Sequence, residues 1–126
     1  MYEIGVSDQF EAAHRLHGDF GPATRMHGHT YRLEVVVRGE ALDEDNVLYD
    51  IGRLRAALGE LARSLDYQNL DELPGLSGMN TTAEAVAGYC WERLATGLRG
   101  RALDSLLVRV WESPQVYAAR DDALPG

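Results

Sequence analysis

Cysteine is nearly absent from this chain: Cys90 is the single one among 126 residues, so an internal disulfide bond is excluded. Long apolar runs are absent as well, since no stretch reaches the roughly 18 residues that a membrane-spanning helix needs. Residues 1–5 lack the basic and apolar segments of a secretory signal. Together these absences predict a cytoplasmic protein that does not insert into a membrane.

Basic residues are scarce relative to acidic ones, 12 against 20, which gives a formal net charge of −8. Because nucleic-acid binding needs a basic surface, a nucleic-acid partner is not expected. Low-complexity segments, linkers and internal repeats are also missing, and the length fits one domain with one core. We predict a single domain over residues 1–120 and a loose C-terminal tail over 121–126.

Histidine, by contrast, is concentrated in one segment: His14, His17, His27 and His29 are the 4 histidines of the chain. His27 and His29 form an H-x-H pair at the start of a predicted strand, where side chains two residues apart point to the same face. A third imidazole from elsewhere would complete a three-nitrogen set with one open position, as in catalytic zinc sites. Alternatively, His14 and His17 only stabilise a turn, or His17 closes a structural site as a fourth ligand.

Apolar periodicity predicts six elements in the order strand, strand, helix, helix, strand, strand. The strands cover residues 2–14, 30–38, 105–112 and 115–120, and the helices cover about 50–65 and 83–98. Thr81 and Glu84 are predicted to form a capping box before the second helix. Two adjacent hairpins then form a four-stranded antiparallel sheet with both helices on one face, an α+β fold. The other face needs a second cover, for which oligomerisation is the expected source.

Two acidic groups stand near predicted element ends. Glu112 shares the parity of the valines in its strand, so it either extends an apolar face towards a ligand with N–H donors or lies past the strand end in water. Asp66 and Tyr67 follow the first helix, where they either terminate it or form a proton-transfer pair. Cys90 lies on an apolar helix face and is predicted to be a core residue instead of a nucleophile.

Several motifs occur in one order along the chain: Phe10-x-Ala12-Ala13-His14, His27-Gly28-His29-x-Tyr31, Leu65-Asp66, Asn80-x-Thr82-Ala83-Glu84 and Glu112. With these motifs the chain resembles the family of 6-pyruvoyl-tetrahydropterin synthase and 6-carboxy-tetrahydropterin synthase, over almost its whole length. The resemblance implies the tunnelling fold, in which three subunits close a barrel of twelve strands and two trimers commonly stack into a hexamer. It further implies active sites between the subunits of this homo-oligomer.

The resemblance also implies roles for particular residues. His14, His27 and His29 are expected to bind Zn²⁺. Glu112 corresponds to the glutamate that anchors the pterin ring through its amino and ring N–H groups. Substrate binding is further expected at Thr81 and Thr82, which border the pterin pocket in the family, and a structural role is expected for Asp50 before the first helix.

The chain departs from the family at both proton-transfer positions. The catalytic cysteine of the family precedes the His-Gly-His run by four or six residues, where this chain has Ala23 and Gly21. A related branch uses a glutamate in this segment, but residues 18–26 contain neither cysteine nor glutamate. In the Asp-His pair that follows the first helix, Asp66 is retained and the histidine is replaced by Tyr67.

The sequence therefore predicts a zinc-dependent, lyase-like enzyme with altered proton-transfer groups that acts on a pterin or a related small heterocycle or polyol. Tyr67 with Asp66 is the predicted catalytic pair, and Asp19 or His17 is a candidate replacement for the cysteine. The alternative is a catalytically inactive, zinc-containing module that binds a pterin.

Overall fold

The most extended feature of the fold is a long antiparallel hairpin. Strand β1 (Tyr2–His14) pairs with β2 (His27–Gly39) in one uninterrupted register, from Tyr2 opposite Gly39 to His14 opposite His27. The structure is a computed structural model that describes residues 1–125. Because the register has no bulge, both strands deliver their histidines to the same end of the sheet.

Two further antiparallel strands and one short parallel strand complete the sheet. Strand β4 (Ser105–Ser113) pairs with β2, and β5 (Val116–Ala123) pairs with β4 at one edge. At the other edge β3 (Gln68–Asn69) pairs in parallel with Ala12 and Ala13 of β1, so the strand order is β3-β1-β2-β4-β5. The predicted four-stranded antiparallel sheet is confirmed, and β3 is an addition too short and polar for periodicity to reveal.

Both helices start at polar caps. Helix α1 (Ile51–Leu65) is capped by Asp50, whose carboxylate accepts hydrogen bonds from the backbone N–H groups of Gly52 and Arg53. This confirms the structural role expected for Asp50. Helix α2 (Ala83–Leu98) is capped by Thr82, whose hydroxyl oxygen accepts a hydrogen bond from the backbone N–H of Ala85 at 3.2 Å. The predicted cap at Thr81 was therefore wrong by one residue. No helix in the described part of the chain is long and apolar enough to cross a membrane.

The core lies between the helices and one face of the sheet. Alternate strand residues point into it, together with the inner faces of α1 and α2; they include Phe10, Tyr31, Leu33, Val35, Val108, Leu54, Leu58, Val86 and Leu94. Cys90 is fully buried there, and burial raises the pKa of its thiol to about 12. The thiol is therefore protonated at neutral pH, which agrees with the prediction of a core residue.

The opposite face of the sheet carries charged and apolar side chains and no helix among the described residues. Glu34 lies at its centre, where its carboxylate accepts hydrogen bonds from the Trp111 indole N–H and, at 2.7 Å, from Arg32. The guanidinium of Arg109 lies 3.5 Å from the same carboxylate. Charge pairing on this face is accompanied by ring packing, since the centroids of Trp111 and Tyr117 lie 4.6 Å apart.

The predicted C-terminal tail starts later than expected. Residues 121–123 belong to β5, and Leu124 is buried with its backbone N–H donated to Asp104 at 2.9 Å. The charged run at 120–122 gave no strand pattern in the sequence, but β5 pairs with β4, and Arg120 forms an ion pair with Glu92 of α2 at 3.0 Å. Of the predicted tail, Gly126 lies outside the described residues.

Candidate metal centre

The register of the long hairpin brings three histidines together. His14 of β1 lies directly opposite His27 of β2. His29 lies opposite Ala12, which is two residues before His14 and points to the same face of the sheet. Directly opposed residues of an antiparallel pair point to the same face, so all three imidazoles lie on the helix-covered side. Their candidate ligand atoms lie within 4.8 Å of one another. The predicted cluster of His14, His27 and His29 is therefore formed within one chain.

The ring nitrogens of this cluster fit a bound metal ion. Nε2 of His14 and Nε2 of His29 are buried and have no hydrogen-bond partner among residues 1–125. Leaving such atoms unpaired is costly, and for Nε2 of His14 this points to a ligand that is not a protein group, whereas Nε2 of His29 has the Glu112 carboxylate at 3.4 Å. Imidazole nitrogens bind zinc at about 2.0–2.1 Å, so the three nitrogens would have to move closer together to share one ion.

Two of the rings are oriented by backbone carbonyls. Nδ1–H of His14 donates to the carbonyl of Thr81 at 2.8 Å, and Nδ1–H of His27 donates to the carbonyl of Arg25 at 2.7 Å. A neutral imidazole that carries its proton on Nδ1 keeps its lone pair on Nε2. Both rings therefore present Nε2 as the metal-binding atom, which is the usual arrangement when a second partner fixes the ring.

Glu112 adds a negative charge beside the cluster. It lies within β4, and its Oε2 is 3.4 Å from Nε2 of His29. The side chains of His29 and Glu112 are 21% and 23% exposed, so neither is fully solvated. Glu112 was expected either to extend the apolar face of its strand towards a ligand or to lie past the strand end in water. The structure supports the first interpretation, because Glu112 belongs to β4 and its side chain points to the histidines.

The local electrostatics favour the neutral, metal-binding form of His29. Burial lowers the pKa of His29, the charge of Glu112 partly opposes this effect, and His14 and His27 lower the pKa further. Since a protonated imidazole cannot coordinate a metal, the lowered pKa keeps His29 available at neutral pH.

A buried tyrosine packs against the same cluster. The ring centroid of Tyr31 lies 5.2 Å from that of His29, and its hydroxyl has no partner within the described chain. Burial raises the pKa of Tyr31, and the charges of Glu112 and Asp71 raise it further, so the hydroxyl stays protonated. In the sequence Tyr31 was recognised only as part of a motif. Because it shares the parity of His27 and His29 within β2, its position beside the cluster could have been predicted.

The predicted catalytic pair lies at the edge of the sheet. Asp66 follows α1 as its C-terminal cap, and its carboxylate accepts a hydrogen bond from Glu11 N at 2.9 Å. Tyr67 has a left-handed backbone (φ 56°), donates its N–H to the carbonyl of Glu11, and is 83% exposed. Its side chain lines a cleft of about 590 Å³ that also borders His29 and Thr30. Among the described residues, no hydrogen bond or ring contact joins Tyr67 to the histidines.

The two threonines have different positions. Thr81 is fully buried, and its carbonyl and hydroxyl face His14 and Asp71, so no surface of it is open to a ligand in this chain. Thr82 is half-buried, and its hydroxyl caps α2. Thr81 therefore contacts His14 of the cluster and does not face an open pocket. The predicted substrate contacts of Thr81 and Thr82 stay predictions.

The loop between β1 and β2 does not add a fourth ligand. His17 is exposed and lies outside the three-histidine cluster in the described chain, and its backbone exchanges two hydrogen bonds with the Asn80 side chain. Gly21 and Ala23 lie in a single 3-10 turn, and the Ala23 carbonyl accepts from Leu16 N at 2.9 Å. Among the described residues the cluster therefore offers three candidate protein ligands.

The chain thus combines an antiparallel α+β sheet with a three-histidine cluster on its long hairpin that could hold a metal ion. The family model described as 6-pyruvoyl tetrahydropterin synthase matches residues 3–122. The chain belongs to this family, as the motifs predicted.

Individual relatives agree with this assignment. A 6-carboxy-5,6,7,8-tetrahydropterin synthase of Synechocystis is 34% identical over 99 residues, which cover 75% of each chain. A 6-pyruvoyl tetrahydrobiopterin synthase of Dictyostelium discoideum is 30% identical over 102 residues, covering 71% of this chain and 76% of the relative. The solved structure of 6-pyruvoyl tetrahydropterin synthase from Caenorhabditis elegans superposes with a TM-score of 0.81 at 26% identity, over 96% of this chain and 95% of the other. The predicted tunnelling fold is confirmed for the single subunit, and the predicted oligomer stays a prediction.

Proposed function

We propose that this protein is a zinc-dependent, lyase-like enzyme that acts on a pterin or a closely related heterocyclic substrate with oxygen atoms on its side chain. The observation that carries the proposal is the cluster of His14, His27 and His29, in which Nε2 of His14 and Nε2 of His29 are buried and form no hydrogen bond within the described chain. Three protein ligands and an open position are typical of catalytic zinc sites, whereas structural sites are closed by four.

Within this proposal the three histidines hold Zn²⁺, which when bound acts as a Lewis acid and lowers the pKa of an adjacent O–H or C–H of the substrate. Glu112 is the ring anchor: its carboxylate, 23% exposed, lies next to the cluster and is able to accept N–H groups of a heterocycle. Thr82 is proposed to contact the substrate as well, and Thr81 contributes through its contact with His14. Desolvation of Glu112 strengthens the hydrogen bonds that it would form.

Proton transfer is assigned to Tyr67 together with Asp66. A phenol is able to donate and accept a proton, but it must reach the substrate to do so. Because Tyr67 is 83% exposed at the β3 edge, the contact is proposed to form across a subunit boundary, with the metal centre of a neighbouring chain.

Both edges of the sheet support a homo-oligomer. The outer side of β1 is covered by β3 only at Ala12 and Ala13, and β5 has no neighbour on its outer side in the described chain. Unpaired edges invite pairing with another chain, and pairing of β5 with the β1 of a copy would close a ring. We expect a trimer or a hexamer, which native mass spectrometry would distinguish from a monomer. The small-molecule substrate and the cytoplasmic location expected from the sequence are part of the same proposal.

The enzymatic proposal is tested on one substrate class. Zinc-loaded protein is incubated with 7,8-dihydroneopterin triphosphate, and the pterins are separated by chromatography and identified by mass spectrometry. Conversion to a 6-pyruvoyl, 6-carboxy or side-chain-cleaved product supports pterin chemistry. His27→Ala is the control for metal dependence, and Tyr67→Phe with unchanged turnover would remove Tyr67 from the mechanism.

A second function is favoured by the missing proton-transfer groups. Alanine and glycine occupy positions 23 and 21, and neither is able to transfer a proton. A chain that keeps the metal centre and Glu112 but lacks this chemistry would be a pterin-binding module. Tight binding of the pterin by calorimetry without any product supports the module, and absence of both binding and turnover argues against a pterin ligand altogether.

A further inference from the structure

A carboxylate outside the histidine cluster is connected to it by hydrogen bonds. Asp71 lies in the short 3-10 turn Leu70–Glu72 after β3, and its Oδ1 accepts a hydrogen bond from the Thr81 hydroxyl at 2.6 Å. The carbonyl of Thr81 in turn accepts from His14 Nδ1 at 2.8 Å, and Oγ1 of Thr81 lies 3.3 Å from the same nitrogen. His14 and Thr81 are only 1% and 0% exposed, so water does not compete for these bonds.

The direction of each bond follows from the groups involved. An ionised carboxylate only accepts, so the Thr81 hydroxyl must donate to Asp71 and keeps its lone pairs for Nδ1–H of His14. A backbone carbonyl also only accepts, so His14 carries its proton on Nδ1. The lone pair of the neutral ring is then on Nε2, which is the buried nitrogen that lacks a partner in the described chain.

Asp71 also holds the backbone beside His14. Its Oδ2 accepts a hydrogen bond from Arg15 N at 3.0 Å, and Arg15 is the residue that follows His14. The N–H of Asp71 itself donates to the Asn69 side chain at 3.0 Å, which fixes the turn. His14 is therefore constrained twice, through its ring by Thr81 and through the following peptide by Asp71.

We propose that Asp71 is a positioning residue of the metal centre, which acts through Thr81 to fix the Nδ1–H tautomer and the orientation of His14. This inference rests on the proposed metal-binding function. Asp71 itself contacts neither the metal nor the substrate, and its effect is transmitted by the Thr81 hydroxyl and carbonyl. The competing explanation is a tie between β1 and the loop that follows β3, with no influence on the histidine.

Four variants separate the two explanations. Asp71→Asn keeps the shape but loses the charge and one acceptor atom, and Thr81→Val loses the hydroxyl but keeps the carbonyl. Thr81→Ser restores the hydroxyl and is the rescue variant. Asp50→Asn is the matched control, since Asp50 also accepts backbone N–H groups but caps α1 and has no contact with the cluster.

Zinc affinity is the first readout, measured by competition with a chromophoric chelator. Removal of a group that orients a metal-binding histidine typically weakens metal binding by about 10–100-fold. We expect this loss for Asp71→Asn and Thr81→Val, and affinity close to that of the unmodified protein for Thr81→Ser and Asp50→Asn. An equal loss in Asp50→Asn would overturn the proposal, because the effect would then be one of general destabilisation.

The second readout is the tautomer of His14 in metal-free protein, from the ¹⁵N chemical shifts of its ring. We expect the Nδ1–H form in the unmodified protein and a smaller fraction of this form in Asp71→Asn and Thr81→Val, because the Thr81 carbonyl remains but is no longer held in place against Nδ1 by the bond between the Thr81 hydroxyl and Asp71. Unchanged tautomer and unchanged zinc affinity in these variants would overturn the proposal. If the unmodified protein fails to bind zinc, the proposed function fails, while the tautomer still decides the role of Asp71. Thermal unfolding of each variant identifies one that does not fold, and the other then provides the test.

Discussion

Removal of zinc should lower the thermal stability of the protein by an amount that follows from its size. Binding to the folded state alone stabilises it by about 2.7 kcal/mol when free zinc is 100 times the dissociation constant. Unfolding entropy of about 2.1 cal/mol/K per residue, over 126 residues, gives roughly 0.26 kcal/mol for each degree. The midpoint of thermal unfolding should therefore rise by about 10 °C on zinc saturation at pH 7.5.

The same measurement depends on pH with a definite sign. The pKa of His29 is lowered in the folded state from its ordinary 6.5, so between these two values the unfolded state binds more protons. Stability of the metal-free protein should fall as pH drops through this window and level off below it. The rise in the unfolding midpoint on zinc binding, here called the zinc increment, should also become smaller below about pH 6.5, because protonation of imidazoles competes with the metal.

Differential scanning fluorimetry with and without chelator measures both effects, and two histidine variants control them. His27→Ala should abolish the zinc increment, since it removes one of three ligands. His17→Ala should retain the full increment, since His17 is exposed and outside the cluster. The reasoning is refuted if His17→Ala loses the increment or if His27→Ala keeps it.

Three further substitutions test the packing around the site. Thr82→Ala should cost about 1 kcal/mol of unfolding free energy in denaturant titrations, because Ala85 N loses its cap; no loss would mean that α2 is capped by another group. Tyr31→Phe should stabilise the metal-free protein by about 1 kcal/mol, because a buried hydroxyl without a partner is removed; a large destabilisation would reveal a partner for it. Cys90→Ser should destabilise the protein by about 1–3 kcal/mol in the same assay, because a hydroxyl replaces a thiol in a fully buried apolar position; a neutral result would indicate local water or a hydrogen bond.

The metal cluster was predictable because it depends on strand periodicity. His27 and His29 share parity within β2, and the same parity argument placed Glu112 with the apolar residues of β4. The family motifs identified His14 as the third ligand, and the register of the hairpin then determines that it faces His27. Local patterns thus sufficed wherever the site is made of strand residues.

The remaining features depend on contacts between distant segments. The pairing of His14 with Thr81 spans 67 positions, and that of Arg15 with Asp71 spans 56, so no local pattern encodes either. The cap of α2 was misassigned for the same reason, because the hydroxyl of Thr81 is used by Asp71 and only that of Thr82 is free for the helix. Strand β3 likewise exists only because β1 offers an edge to pair with.

No hydrogen bond or ring contact joins the three-histidine cluster to the predicted proton-transfer groups in the described chain, although Tyr67 and His29 line the same cleft. Each ligand histidine lies on the long hairpin, and its orientation depends on neighbours within the same chain, such as Thr81 and the carbonyl of Arg25. Tyr67, by contrast, lies exposed at the sheet edge, and Ala23 lies in a connecting turn. Substitutions at these two positions leave every hydrogen bond of the cluster intact. A change in proton-transfer chemistry is therefore compatible with full metal binding, and zinc affinity and turnover must be measured independently.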